Sequence, residues 1–382
     1  VDGRGGVGQH TRMWSGFRTS LLAVTACIGA GCVSGPAGYG PWLTPARLEE
    51  LKTQQEYADF IAARYAGMSG DPSSAAAYYR RAFGNAPKDA ALLERATFST
   101  LISGDAGEAT RMVAAVDASV AQQSPSAQLV LIVDEIGSGK TKSALQRLKT
   151  SNLGAINADL VGFLTAWLTA TESPDKGIAA LAQLPPRRLL AGEQATIRGM
   201  MYLGAGRDEK AIDAFNQAQR LPLASTDLVA SLNARLMASR GDVAGARKAI
   251  ALEIDESGAS SLTDYLLTML DSGQPVTRPK LSIRQGAAII VYLASAGGIA
   301  RSSPELGALR YSLALRLDPE LAPARLAFAD AFNQQDRAED AVEVLREIQA
   351  TSPWRAEALI QIAAPEYRSE LQDAWRLIAS RL

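Results

Sequence analysis

The dipeptides Gly70-Asp71 and Gly104-Asp105 lie 34 residues apart, and each glycine is followed five residues later by an alanine, Ala75 and Ala109. The interval continues to Gly139 with Ala144, Ser173 with Ile178, Gly206 with Ala211 and Gly241 with Ala246, in steps of 35, 34, 33 and 35 residues. A unit of this length cannot bury its apolar face alone. It must stack on copies of itself, so the period points to a repeat array.

The flanks of each turn carry helical spacing. After the turn, Ala75, Tyr79 and Ala82 precede Pro87; Ala211, Phe215 and Ala218 precede Pro222; Ala341, Leu345 and Ile348 precede Pro353. Before the turn, Ala63, Gly199, Ala234 and Ala329 each sit seven residues upstream. A small residue there lets the first helix lie close to the second, whose larger residue fills the groove between them. Proline then ends the second helix, because it has no N–H to continue the ladder.

These positions resemble the tetratricopeptide repeat (TPR), most clearly in residues 56–89, 192–225 and 322–355. The likeness covers residues 45–380; the copies at 126–158 and 159–191 are degenerate, and the tryptophan of the family's first helix is missing throughout. The resemblance implies an all-α fold, a right-handed α-solenoid of TPR helix pairs following an N-terminal signal or lipoprotein segment. The stretch from Ser272 to Pro279 breaks the period, so the expected order is an N-terminal array at 45–271, a linker at 272–281 and a C-terminal array at 282–382. The last stretch, 366–382, keeps apolar residues at Leu371, Trp375 and Leu377 with no polar cap after it. A covering partner and an array running past residue 382 both stay open, and the second is the expectation.

Ahead of the array, Met13 and Arg18 lead into an apolar run from Leu21 to Gly31 and a small-residue region around Cys32. That order is an export signal, and the run is shorter than the roughly 20 residues a spanning helix needs. Val24-Thr25-Ala26-Cys27 and Gly29-Ala30-Gly31-Cys32 both resemble the lipobox of bacterial lipoproteins, which implies lipidation at Cys27 or Cys32; the choice stays open. Residues 1–32 are therefore read as the signal and lipobox segment, with 1–12 expected to lie outside the natural protein. The Gly/Pro-rich stretch at 33–44 is read as a flexible tether.

Chemistry is narrowed by three counts. His10 is the sole histidine, Cys27 and Cys32 are the sole cysteines, and 39 basic residues balance 40 acidic ones. The expected working domain thus has neither imidazole nor thiol, so no metal and no cofactor is expected, and a neutral chain has no electrostatic hold on nucleic acid. Gly137-Ser138-Gly139-Lys140-Thr141 resembles the end of a phosphate-binding loop, but Asp134 stands where the first glycine belongs. Ser173-Pro174-Asp175-Lys176 has the spacing of serine acyl-enzymes without their companion motifs. Both fall on the turn clock. Gly3, Gly5 and Gly8 have dinucleotide-fingerprint spacing with no strand before them. Adjacent carboxylates such as Asp134-Glu135 and Glu339-Asp340 diverge on a helix and read as a solvated face.

The expected function is a non-enzymatic protein–protein scaffold with no small-molecule substrate. It would be lipid-anchored on the periplasmic side of the envelope as an outer-membrane lipoprotein, serving a pilus, secretion or cell-wall machine. The resemblance implies a partner-binding groove lined by the first helix of each pair: Tyr57, Phe60 and Arg64, then Glu193, Thr196, Met200 and Leu203, then Leu228, Ser231 and Arg235, and finally Leu326, Asp330 and Asn333. The alternatives are a nucleotide binder using 137–141 and a purely structural spacer.

Overall fold

The computed structural model describes residues 45–185, 190–223, 225–296 and 302–363, with side chains from Thr53 onward. The chain divides into two units, Val1–Lys52 and Thr53–Leu382, and the packed helical array lies in the second. His10, Cys27, Cys32, the tether and 366–382 lie outside the described residues.

The described residues are all-α, with no strand among them. Their helices are α1 (Pro45–Met68), α2 (Pro72–Asn85), α3 (Ala90–Ile102), α4 (Ala106–Ala114), α5 (Ala118–Ala121), α6 (Pro125–Gly137), α7 (Thr141–Thr150), α8 (Ala158–Glu172), α9 (Pro174–Ala182), α10 (Ala191–Gly204), α11 (Asp208–Ala218), α12 (Thr226–Ser239), α13 (Val243–Ser257) and α14 (Ser261–Asp271). After an extended stretch come α15 (Ile283–Ala296), α16 (Pro304–Leu317), α17 (Ala322–Asn333), α18 (Ala338–Arg346) and α19 (Arg355–Ile362).

The turn chemistry follows from the Gly-Asp dipeptides. Gly70, Gly104 and Gly241 have φ of 75°, 99° and 87°, a left-handed conformation that ends the first helix at little steric cost to glycine. The aspartate that follows caps the second helix: Asp71 accepts from the Ser74 N–H at 2.9 Å, Asp105 from Glu108 at 2.7 Å and Asp242 from Gly245 at 2.8 Å. The Ser74 hydrogen bonds hold the Asp71 carboxyl below its ordinary pKa. Gly139 and Gly206 keep the left-handed turn but hand over to Lys140 and Arg207, which do not cap. In the last pair Asp336 takes the glycine's place at φ 58°.

The small positions behave as their spacing requires. Ala63, Ala234 and Ala329 are fully buried, and a Cβ at Gly199 would overlap the Phe215 ring. Tyr79 meets Phe60 edge-on at 6.0 Å, and Arg81 reaches back from α2 to Asp59 at 3.1 Å. In each pair the second helix lies along the first, which buries the alanine stripe.

The helices after residue 282 do not extend the stack; they turn back into it. α15 and α16 pack against α3, α6, α8 and α10, the first helices of four consecutive pairs. Trp167 on α8 donates its indole N–H to the Ile283 carbonyl at 2.9 Å, and Gly286 on α15 passes so close that a Cβ there would overlap the Trp167 ring. Arg310 on α16 is 1% exposed and donates to the carbonyls of Ala294 and Ile156 and to Asn157 Oδ1, at 3.0, 2.9 and 2.8 Å. Phe328 and Phe332 on α17 close over Gly104, and Arg337 donates to the Ile102 carbonyl at 2.8 Å. Farther along, Trp354 donates to Asp227 at 3.0 Å and α19 touches α14. One continuous core runs through both halves of the sequence.

The linking stretch is also fixed. Arg278 donates to the Leu203 carbonyl at 2.7 Å and to Asp208 at 2.6 Å, clamping it to the turn between α10 and α11. Hydrogen bonds from Arg278, then Arg240, hold the Asp208 carboxyl below its ordinary pKa. A smaller core between α12, α13 and α14 closes the far end of the array.

Candidate functional site

The expected groove residues divide sharply by position. Glu193, Thr196, Met200, Leu203, Leu228, Ser231 and Leu326 are between 0% and 9% exposed. No partner reaches these side chains on the folded surface, and a groove reading loses them. For Glu193, Thr196, Met200 and Leu203 the cause is the returning C-terminal half, whose α15 packs on α10, a first helix that would have lined an open groove. Arg235 and Asn333 are half-buried and Asp330 is exposed. Tyr57 is 68% exposed, Phe60 half-buried and Arg64 exposed, so the first pair keeps its full accessible set.

An open pocket remains at that end. It measures about 930 Å³ and lies between α1, α2 and α3 on one side and the start of α16 and the α17–α18 turn on the other. Phe98, Ile102 and Tyr79 supply apolar lining. Arg64 and Arg95 stand on the α1–α3 wall, and Arg95 lies 5.7 Å from the Phe60 ring centroid. Glu305 and Asp336 stand on the opposite wall. Glu94 is already engaged, accepting from Ser124 at 2.6 Å and from Ser126 at 2.7 Å. Beside the pocket, α1 exposes Tyr57, Ile61, Tyr65 and Met68 at helical spacing.

A second cleft of about 650 Å³ opens between α2 and α4. Its two arginines are committed elsewhere, Arg80 to Thr100 at 3.3 Å and Arg81 to Asp59.

The motifs with catalytic spacing do not assemble. Leu129–Ile136 lies within α6, so no strand leads into Gly137–Thr141, and Lys140 is exposed between two helices. That geometry corrects the nucleotide alternative, because a phosphate-binding loop follows a strand. Ser173 is the single residue between α8 and α9, with Pro174 opening the next helix. Glu135 corrects the expectation of a solvated face: it is buried and accepts from Arg147 at 2.8 Å and Ser143 at 2.8 Å, while Asp134 pairs with Arg316 at 3.7 Å. Among the described residues no group of three or more His, Cys, Asp or Glu side chains is placed to hold a metal. Also among them, no helix is long and apolar enough to cross a membrane.

Burial raises the pKa of Glu193, Glu253, Asp318 and Glu357, that of Glu193 to about 7. None of the four lines the pocket. Burial also lowers Arg310 to about 10, still charged at neutral pH.

The fold is a TPR-like helical repeat. Its own turns, buried small positions and helix pairs carry that statement. No protein-family model and no curated protein matches the chain. Among solved structures it is similar to the crystal structure of the P58(IPK) TPR domain, at 13% identity and a TM-score of 0.25, over 84% of this chain and 98% of that one. It is also similar to the yeast Tom70 structure, at 12% identity and a TM-score of 0.21, over 86% and 91%. The structure of the APC/C hetero-tetramer Cut9-Hcn1 is similar at 12% identity and a TM-score of 0.22, over 88% and 76%.

Sequence reasoning missed Trp167, Arg278, Arg310 and Arg337, which fasten the returning half. One signal was available. Every residue from Gly286 to Ser295 is buried, and a stretch apolar all round its circumference belongs inside a protein.

Proposed function

We infer that the protein is a non-enzymatic scaffold that docks a partner protein at the open pocket beside α1, not along a full-length groove. The observation that carries this reading is the coincidence of an apolar-floored pocket with exposed Tyr57, Ile61, Tyr65 and Met68, where the returning half leaves the first helix pair uncovered. Apolar surface grouped in this way on a stacked-helix fold serves recognition better than chemistry. The sequence supports a place in the cell envelope. The export signal and the lipobox-like cysteines Cys27 and Cys32 would anchor the scaffold through lipid on the periplasmic side, where it would help assemble a pilus, secretion or cell-wall machine.

Photo-crosslinking residues placed at Met68 and at Phe98 test the docking. One partner captured from both sites in cells and not from exposed Tyr265 is the expected result; no capture at either pocket position overturns it. Intact mass with Cys27→Ser and Cys32→Ser tests the anchor. Lipid mass lost in one variant is expected, and an unprocessed chain removes the envelope reading.

The structural spacer has one observation in its favour, the filling of the inner face by the chain's own helices. It predicts that pocket substitutions leave every interaction unchanged.

A further inference from the structure

We propose that the pocket takes an amphipathic helix of the partner, with acidic residues along one flank of its apolar stripe and basic residues along the other. This rests on the docking reading above and adds the chemistry of the bound segment.

The two walls differ in charge: on the first, Arg64 and Arg95 outnumber Glu94, whose carboxylate accepts hydrogen bonds from Ser124 and Ser126, and the second carries only acidic charge among its lining residues. Arg64 and Arg95 stand on the wall of α1 and α3, and neither takes part in an ion pair among the described residues. Glu305 and Asp336 stand on the wall made by α16 and the α17–α18 turn. A ligand acidic on both flanks meets repulsion at the second wall, and one basic on both flanks meets it at the first. A segment split by charge satisfies both.

The backbone of the pocket decides between a helix and an extended strand. Its walls are helices, and the turn N–H groups beside it are already paired. Gly70, Gln335, Asp336 and Arg337 donate their N–H groups to Gly67, Phe332, Asn333 and Phe332 in turn, at 2.9 to 3.3 Å. An extended segment lying there would find no free backbone N–H on these turns for its own carbonyl groups. A helix brings those groups already bonded and presents an apolar stripe to Phe98 and Ile102.

Four labelled synthetic peptides of about 18 residues, some 27 Å as a helix, test this by fluorescence anisotropy against the intact chain. All share one leucine stripe. The first has Glu on one flank and Lys on the other, the second Glu on both, the third Lys on both, and the fourth is the first with a central proline. The mixed peptide is expected to bind about tenfold tighter than the other three, and Arg64→Glu with Arg95→Glu is expected to weaken it by at least about fivefold. The milder pair Arg64→Gln with Arg95→Gln guards against misfolding and should weaken it in the same direction. Equal affinity across the charge patterns, tolerance of the proline, or indifference to both arginine pairs overturns the proposal. If crosslinks at Met68 and Phe98 persist while none of the four peptides binds, the helix proposal falls and docking stands. If crosslinks and peptide binding are both absent, both fall.

Discussion

Arg310 Nη2 lies 2.8 Å from Asn157 Oδ1 and 2.9 Å from the Ile156 carbonyl oxygen, across 153 residues of sequence. The same guanidinium reaches the Ala294 carbonyl with Nη1, so one buried side chain ties α15, α16 and the turn before α8 together. Its three acceptors are neutral, and no carboxylate among the described residues hydrogen-bonds to it. Truncation removes three charge-assisted hydrogen bonds and leaves carbonyls unpaired in the core, with some recovery because the buried charge is also gone. Arg310→Ala should therefore lose about 3 kcal/mol in urea unfolding, and Arg310→Met, which keeps much of the volume, about half of that. Wild-type stability in both variants would mean that the guanidinium does not fasten the two halves.

The contact between Gly286 and Trp167 sets a second test, with a built-in control of opposite sign. A Cβ at Gly286 would overlap the indole ring, which cannot retreat because its N–H is bonded to Ile283. Gly286→Ala should cost about 2 kcal/mol or more through forced separation of α8 and α15. Gly84 near the end of α2 has nothing within 4 Å of its missing Cβ. Gly84→Ala should stabilise by up to about 1 kcal/mol through helix propensity alone. Thermal unfolding of both variants should shift the midpoint in opposite directions; equal shifts would show that helix propensity, not the α8–α15 contact, governs both sites.

Asp336 adopts a left-handed φ of 58° at the turn where earlier repeats use glycine. Asp336→Gly relieves that strain and should add about 0.5–1 kcal/mol, although it removes a pocket carboxylate. The reverse change, Gly104→Ala, places a Cβ at φ 99° and against Phe328. It should cost more than about 1 kcal/mol. Chemical denaturation of the two variants settles the signs.

Why the repeat was legible and the filled groove was not has a physical answer. The Gly-Asp turns are local: the left-handed glycine and the capping aspartate need nothing beyond a few neighbouring residues, so Gly70, Gly104 and Gly241 announce themselves. The close approach of Gly199 to Phe215 is likewise set by one helix pair. The inner faces are different. Thr196, Met200 and Leu228 carry the same pattern whether another protein or a later part of the same chain covers them. The degenerate copy at 159–191 shows the consequence. α8 is covered by α9 on one side and α15 on another, so Phe163, Leu164, Ala166, Trp167 and Leu168 are all buried and the one-sided period disappears. In the candidate site, Tyr57, Phe60 and Arg64 were legible from the repeat, but Glu305 and Asp336 come from distant sequence and only the return of the chain brings them opposite.

Glu193 provides the test in which pH gives the sign. Its side chain is 1% exposed, and among the described residues neither carboxyl oxygen has a hydrogen-bond partner in another residue. Burial raises its pKa from the ordinary 4.5 to about 7. Between those values the folded state holds a proton that the unfolded state has released, so stability falls as pH rises through this window. The full contribution is present below about 4.5, and above 7 the charged, unpaired carboxylate costs about 3 kcal/mol. Glu193→Gln keeps the shape and removes the charge. The variant should match wild type at pH 4 and exceed it by about 2–3 kcal/mol at pH 8, the difference growing across the window. Glu253, Asp318 and Glu357 add slopes of the same sign to both proteins, and these cancel in the comparison. Urea midpoints at a series of pH values give the answer directly: a difference that stays flat with pH would mean that Glu193 is charged in the folded state and has found a partner there.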